Sequence, residues 1–247
     1  MNQDIDTVLG AEERVFPNLE ALSRAAAEES ARAAIEAVRA RRKCLVSLSG
    51  GHTPSRTYEL WATEYGKEIP WPMVHFFWGD ERFVAPDDAK SNYRMVKASL
   101  LERVPVAAEN IHPIVTNCES PDEAAQAYEK KLRGFFGDAG PTFDILFLGM
   151  GGEGHTASLF PGSLGLTEQK RWAVGVRAPA EPPLRVSLTF PVLRRARATF
   201  FLVAGADKRP IIERLKKDPE DAARELPVAM LRPEGKTIWF LDAAANA

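Results

Sequence analysis

Three apolar segments that end in glycine or charged residues constrain the fold of this 247-residue chain most strongly. They read KCLVSLSGG at 43–51, MVHFFWGDE at 73–81 and FDILFLG at 143–149. Their apolar residues do not alternate with polar ones, which is typical of strands that are covered on both faces. Segments with a helical pattern separate them, so the sequence predicts an α/β fold with a mostly parallel sheet and helices on both faces.

The rest of the chain continues this alternation of strands and helices. A long amphipathic helix is predicted over 18–42, and the next helix is expected to begin with Thr53 as N-cap and Pro54 at its first position. A later helix is expected to begin with Ser120 as its cap. No repeat or linker interrupts 1–247, which we interpret as a single domain. The other predicted helices and strands are SNYRMVKASLLERV (91–104), NIHPI (110–114), RWAVGVR (171–177), LRVSLTF (184–190), TFFLVAG (199–205), DKRPIIERLKK (207–217) and KTIWFLD (236–242).

Composition and charge argue against several classes of function. The formal net charge of -2 disfavours nucleic-acid binding, which calls for a basic surface. No apolar run reaches the roughly 18 residues that span a bilayer, and the N-terminal residues are acidic where a signal peptide is basic. The two cysteines and four histidines show no metal-ligand spacing. We therefore expect a cytoplasmic protein that has no membrane or nucleic-acid partner and no bound metal.

The loop after the third apolar segment carries the strongest chemical signal. Glycines within 149–154 satisfy G-x-G-x-x-G, but Glu168, the next acid of note, precedes a strand instead of ending one, which disfavours a dinucleotide. His155 follows at the carboxyl end of a strand, where α/β proteins bind ligands. Histidine exchanges protons near neutral pH, and Glu153 is able to orient its ring, so the two form a candidate catalytic pair. The alternative is a structural histidine that caps the glycine turn.

A second glycine loop, LSGGHTPS at 48–55, joins a strand to the start of a helix. Such a loop exposes backbone N–H groups at the positive end of the helix, which favours a phosphate. It lacks the lysine of a P-loop, so we expect a phosphorylated small molecule as the ligand. A tight turn that binds nothing is the alternative.

Charged residues near other strand ends are candidate partners for that ligand. In GDERF, Arg82 is suited to bidentate pairing with a phosphate, while Asp80 and Glu81 are candidates to bind sugar hydroxyls or to fix the arginine. Arg185 and Lys208 add two cations near strand ends. Each of these residues is also consistent with a solvated surface charge.

Together these segments resemble the 6-phosphogluconolactonases, which are hydrolases of the oxidative pentose phosphate pathway. The resemblance covers nearly the whole chain, and GHTASLFPG is its most specific part. The related glucosamine-6-phosphate deaminases have a tyrosine where this sequence has Arg82. One residue departs from the pattern, because Glu153 stands where the family usually has aspartate. The matching segments are LSGGHTP, WGDERFV, SNYRM, NIHPI, FDILFLGMGGEGHTASLFPG, RVSLTFPVL, LVAGADKR and LPVAML.

The resemblance implies a Rossmann-like three-layer fold and hydrolysis of 6-phospho-D-glucono-1,5-lactone without metal or cofactor. His155 matches the general base of the family, and Glu153 matches the acidic partner of that base. From the motifs and the resemblance together, the predicted substrate-binding residues are Ser49, Gly50, Gly51, Thr53, Asp80, Arg82, Gly151, Arg185 and Lys208. We expect the sugar-phosphate lactone as partner and a monomeric chain, with an oligomer left open.

Two other functions stay open at this point. A sugar-phosphate deaminase or isomerase on the same scaffold needs a ring-opening acid as well as a base, and both HTASLFPG and Arg82 count against it. A non-catalytic sugar-phosphate sensor would keep the phosphate loop but would need an output domain. The predicted sheet leaves no room for one.

Overall fold

A computed structural model describes residues 7–246, which form a central eight-stranded sheet and a second sheet of three strands. The strands are β1 (Thr7–Val8), β2 (Ala11–Phe16), β3 (Cys44–Leu48), β4 (Val74–Trp78), β5 (Asp80–Arg82), β6 (Ile111–His112), β7 (Ile145–Leu148), β8 (Ala173–Arg177), β9 (Leu184–Leu188), β10 (Ala198–Val203) and β11 (Lys236–Asp242). The helices are α1 (Leu19–Arg41), α2 (His52–Glu64), α3 (Asn92–Val96), α4 (Pro121–Phe136), α5 (Phe190–Leu193), α6 (Arg209–Lys217), α7 (Pro219–Glu225) and α8 (Pro227–Met230).

The central sheet has the order β1-β2-β11-β10-β7-β3-β4-β6. All neighbouring strands in it are parallel except β1 and β2. Every residue of β3, β7 and β10 is buried, because helices cover both faces of these strands. The prediction of an α/β fold with a mostly parallel sheet is confirmed. Strands β1 and β2 were not predicted.

The second sheet is antiparallel and has the order β5-β9-β8. The segments RWAVGVR and LRVSLTF do form strands, β8 and β9, but these pair with each other and stay outside the parallel sheet. The charged DER segment, whose residues were also consistent with solvated surface charges, is the edge strand β5 and pairs with β9.

The predicted cap Ser120 is confirmed, Asn18 is a cap that was not predicted, and the predicted cap Thr53 is not found. The side chains of Asn18 and Ser120 accept hydrogen bonds from backbone N–H groups in the first turns of α1 and α4. The prediction of Thr53 as an N-cap is wrong, because α2 already begins at His52. Its cap is Gly51, whose φ of 111° lies in the region that glycine tolerates best.

The carboxyl ends of β3 and β7 lie where the connectivity of the central sheet reverses. From β3 the chain continues through β4 to β6 on one side, and from β7 it continues through β10 to β11 on the other. Ligands of open α/β sheets bind in the crevice at such a switch point. The two glycine loops, 49–51 and 149–155, leave the sheet here.

Two buried tyrosines anchor the backbone at the carboxyl edge of the sheet. The hydroxyl of Tyr58, on α2, accepts a hydrogen bond from the N–H of Ser49 (3.0 Å) and donates one to its carbonyl (3.2 Å). Tyr128, on α4, bonds both backbone groups of Trp78 in the same way, at 2.9 and 3.0 Å. Each tyrosine therefore fixes the backbone where a strand gives way to a loop.

No helix within residues 7–246 is both long and apolar enough to cross a membrane.

Candidate active site

A cavity of about 290 Å³ opens at the switch point between β3 and β7. Nine predicted site residues line it: Ser49, Gly50, Gly51, Asp80, Arg82, Gly151, His155, Arg185 and Lys208. The structure therefore brings together residues from both glycine loops, from β5 and β9, and from the end of β10. Thr53 and Glu153 are not among the lining residues, although Glu153 touches His155. Residues that line the cavity but were not predicted are Asn92, Gly149, Met150 and Ala157.

The ring of His155 lies directly on the glycine loop. A Cβ at Gly151 would overlap the Nδ1 edge of the ring and would lie 2.6 Å from Oε2 of Glu153, so glycine is required at 151 by this close approach. The backbone N–H of Gly151 donates to the carbonyl of His155 at 3.0 Å, which closes the turn. The ring centroid of Phe160 is 4.3 Å from that of His155. The imidazole is thus held between backbone and an aromatic ring.

Burial keeps the imidazole of His155 neutral near pH 7. Burial lowers the pKa of its imidazole below the usual 6.5, and the negative charge of Glu153 opposes part of that effect. Nδ1 of His155 lies 3.1 Å from Oε1 of Glu153, and the charge of this carboxylate raises the pKa of the ring more than any hydrogen bond to it does. Glu153 therefore acts on the ring chiefly through its charge. A neutral imidazole in this position has the chemistry of a general base.

Three cations converge on the same cavity. Arg82 and Arg185 occupy opposed positions on β5 and β9, and Lys208 follows β10. Arg82 donates from Nη1 to the carbonyl of Lys90 at 2.7 Å, and Arg185 donates from Nε to the carbonyl of Pro182 at 3.0 Å. These bonds fix the guanidinium groups while leaving other N–H donors of each arginine for an anion.

The two acids of GDERF have structural partners. Oδ2 of Asp80 accepts a hydrogen bond from the hydroxyl of Ser158 at 2.6 Å, which ties β5 to the loop after His155. The carboxylate of Glu81 accepts backbone hydrogen bonds at the start of α3 and is 2% exposed. Glu81 lies outside the cavity lining, whereas Asp80 borders it. Of the two, only Asp80 is placed to meet a ligand.

Several buried polar atoms of the cavity residues have no hydrogen-bond partner. Within residues 7–246, the buried side-chain atoms that lack a hydrogen bond include Ser49 Oγ, Arg82 Nε, Asn92 Oδ1 and His155 Nδ1, all from cavity residues. Native proteins satisfy nearly all buried polar groups, so the unpaired atoms of Ser49, Arg82 and His155 are candidate partners for a polar ligand.

A larger groove of about 610 Å³ lies beside β2 and β11. Its lining includes the stacked rings of Phe201 and Trp239 but no histidine or cysteine among the described residues. Its titratable lining residues are Glu12, Glu220, Arg232 and Lys236, so the groove does not offer the histidine base of the switch-point cavity. Within residues 7–246, no three His, Cys, Asp or Glu side chains are grouped to hold a metal ion.

Comparisons with known proteins agree on one family. Residues 17–239 match the family of glucosamine-6-phosphate isomerases/6-phosphogluconolactonase. The chain is 39% identical over 214 residues to the 6-phosphogluconolactonase of a Synechocystis species, covering 85% of this chain and 87% of the relative. It is 38% identical over 238 residues to the human 6-phosphogluconolactonase, covering 94% and 91% of the two chains.

Solved structures show the same relationship. The 6-phosphogluconolactonase of Trypanosoma brucei superimposes with a TM-score of 0.80 at 29% identity, covering 95% of this chain and 97% of that one. A monomeric glucosamine-6-phosphate deaminase reaches a TM-score of 0.75 over 94% and 98% of the two chains. At 18% identity, this second match shows a shared fold alone.

Proposed function

Because the chain belongs to the glucosamine-6-phosphate isomerase/6-phosphogluconolactonase family, we propose that it hydrolyses 6-phospho-D-glucono-1,5-lactone to 6-phospho-D-gluconate. One observation supports this reaction most directly: a neutral histidine shares a cavity with three cations. The histidine provides a base for water, and the cations provide partners for a phosphate. Neither a metal nor a cofactor takes part in the proposed reaction.

The phosphate end of the lactone binds between the first glycine loop and the cations. Backbone N–H groups at Gly50 and Gly51 and the side chains of Arg82 and Lys208 are its expected partners, with Thr53 at the edge of this group. Asp80 and Ser49 border the cavity beside them and are expected to meet sugar hydroxyls. This orientation places C1 of the lactone ring toward His155.

Neutral His155 removes a proton from a water molecule, whose oxygen then bonds to C1. The resulting tetrahedral oxyanion is stabilised by backbone N–H groups of the 149–154 loop, including Gly151, or by Arg185. The bond from C1 to the ring oxygen breaks, and the imidazolium returns its proton to that oxygen. Glu153 stabilises the imidazolium by its charge. General acid–base catalysis contributes about 10²–10⁴-fold, which suits a substrate that already opens slowly in water.

The deaminase and sensor alternatives are not favoured. The relatives at 38% and 39% identity are both named 6-phosphogluconolactonases, whereas the deaminase match extends only to the fold. We further propose that the protein acts in the cytoplasm. We also propose that it is a monomer, which sedimentation at the concentration used in the assay would test.

A coupled assay tests the proposed function. Glucose 6-phosphate and its dehydrogenase generate the lactone in place, and acid release is followed above the uncatalysed rate. Wild type is expected to accelerate ring opening, and His155→Gln is expected to lose about 10²–10⁴-fold in kcat. Equal rates for the two proteins would remove His155 from the mechanism. If neither exceeds the baseline, the lactonase assignment fails, and ammonia release from glucosamine 6-phosphate becomes the next assay.

A further inference from the structure

Asn92 is a buried amide at the edge of the cavity whose orientation is fixed by Asp80. It is 1% exposed and is the first residue of α3. Its Nδ2 donates to the backbone carbonyl of Asp80 at 3.0 Å and lies 3.4 Å from the Oδ1 atom of that residue. Two acceptors on this side identify the nitrogen, so Oδ1 must point the other way.

The other side of the Asn92 amide lies against Gly50. A Cβ at position 50 would overlap Oδ1 and Cγ of Asn92 and would lie 2.9 Å from Nδ2. The backbone of Gly50 is outside the left-handed region, so its φ does not demand glycine. Asn92 is therefore the feature that excludes a side chain at position 50. Because Oδ1 is covered in this contact, Asn92 acts on the loop and does not reach a ligand directly.

The backbone of Asn92 is tied to the strand that carries Arg82. Oε1 of Glu81 accepts from the N–H of Asn92 at 2.7 Å and from the N–H of Arg82 at 2.8 Å. Oε2 of Glu81 accepts from the N–H of Tyr93 at 2.7 Å. One carboxylate thus holds the start of α3 and the Arg82 backbone together, and the Asn92 side chain extends this connection to Gly50.

We propose that Asn92 is a positioning residue that sets the distance between the glycine loop 49–51 and the guanidinium of Arg82. This inference rests on the proposed function, in which both groups bind the phosphate of the lactone. Asn92 does not contact His155, so its loss should weaken substrate binding and leave the proton-transfer step intact. The signature is a raised KM with an unchanged pH dependence of kcat.

A double-mutant cycle between positions 50 and 92 tests the proposal. Gly50→Ala is expected to raise KM about tenfold in wild type, because the new Cβ displaces either the loop or Asn92. In an Asn92→Ala background the collision is gone, so adding Gly50→Ala should change KM less than about twofold. Asn92→Ala alone is expected to raise KM about tenfold with kcat nearly retained.

A further variant separates the hydrogen bonds of Asn92 from the volume of its side chain, and a second variant serves as the control. Asn92→Asp keeps the shape but places an acceptor against the carbonyl and carboxylate of Asp80, so it should raise KM at least as much as Asn92→Ala. Asn110→Ala is the matched control, because Asn110 is 5% exposed and its Nδ2 donates to the carbonyl of Pro72 at 2.9 Å, away from the cavity. It should lower the melting temperature without changing KM. If Asn92→Ala does not fold, Asn92→Ser replaces it in the cycle.

Failure of this inference is distinguishable from failure of the proposed function. If wild type opens the lactone but Gly50→Ala has the same effect on KM in both backgrounds, Asn92 does not position the loop. An unchanged KM in Asn92→Ala and Asn92→Asp leads to the same conclusion. If wild type is inactive, the proposed function fails. The melting temperatures still test the contact, because Gly50→Ala should then destabilise wild type more than it destabilises the Asn92→Ala protein.

Discussion

Arg82 and Arg185 stand directly opposite each other across the antiparallel pair β5 and β9, and both side chains border the cavity. Like charges at opposed positions of neighbouring strands repel. Burial lowers the pKa of the Arg185 guanidinium; Asp80 opposes this effect more than Arg82 adds to it, and Glu153 opposes it as well. The second sheet therefore holds a partly buried guanidinium beside a second cation; its burial costs stability, which an anion bound between the two arginines would offset.

Replacing Arg185 should weaken substrate binding without lowering the stability of the protein. We expect Arg185→Met to raise KM about tenfold or more, because a charged hydrogen-bond donor near the substrate is lost. The same change should leave the melting temperature unchanged or raise it. Inorganic phosphate should stabilise wild type more than the variant. Differential scanning calorimetry with and without phosphate measures both effects.

Arg177→Met is the control for that comparison, because Arg177 is an exposed residue of the same small sheet. It should leave KM and the response to phosphate as in wild type. Equal stabilisation of wild type and Arg185→Met by phosphate would contradict an anion site between the two arginines.

The pH dependence of kcat/KM should report the depressed pKa of His155. Burial lowers this pKa, so activity should persist below pH 6.5 and fall at a lower pH as the imidazole becomes protonated. The charge of Glu153 raises the His155 pKa, so Glu153→Gln should move the acid limb to still lower pH. It should also reduce kcat about tenfold, because the imidazolium loses its counter-charge.

Glu109→Gln, an exposed acid distant from the cavity, provides the matched control and should leave the profile in place. A shift of the acid limb to higher pH in Glu153→Gln would be inconsistent with the charge relationship described above.

Two glycines of one loop should respond very differently to alanine. Gly151→Ala places a Cβ on the His155 ring and should reduce kcat about 10²-fold by displacing the imidazole. A Cβ at Gly149 meets nothing within 4 Å, and neither glycine has a positive φ, so Gly149→Ala should retain activity. Steady-state kinetics compares them, and circular dichroism confirms the fold. Similar losses in both variants would argue against the contact at position 151.

Acid sensitivity of the fold should trace in part to His112. Burial, together with nearby Lys131 and His75, lowers the pKa of His112 to about 4. The unfolded chain takes up this proton near pH 6.5 and the folded chain only near pH 4, so the free energy of unfolding falls as pH drops through this window. For a half-buried group we expect a loss of about 1–2 kcal/mol.

Urea unfolding at pH 7 and pH 4.5 measures that loss. His112→Gln should be less sensitive to acid than wild type, whereas His52→Gln, which removes an exposed histidine, should behave like wild type. An equal pH dependence in wild type and His112→Gln would exclude His112 as the source.

The strands that build the carboxyl edge could be predicted because burial on both faces leaves a local signal. The apolar runs that became β3, β4 and β7 are continuous, and each leads into a loop rich in glycine or charge. Because parallel strands place their carboxyl ends at one edge, the residues that follow them meet in one cavity. The candidate site was therefore largely readable from the sequence.

The features that were missed depend on contacts between distant segments. The DER segment becomes a strand only because β9, about a hundred residues later, pairs with it. Asn92 lies in the matching segment SNYRM, but nothing in that segment indicated a role for it, because its contacts with Gly50 and Asp80 are made in space. β2 was missed because its sequence, AEERVF, has three consecutive charged residues and no regular alternation of apolar and polar residues.

The two backbone hydrogen bonds made by each of Tyr58 and Tyr128 affect the free energy of substrate binding. A buried backbone group left without a partner costs about 1–3 kcal/mol, and the strand ends at Ser49 and Trp78 are where the ladder runs out. Each phenol supplies a donor and an acceptor together, as the next strand would. The backbone at the edge of the cavity is consequently ordered before a substrate binds. Little of the binding free energy is therefore lost in ordering it.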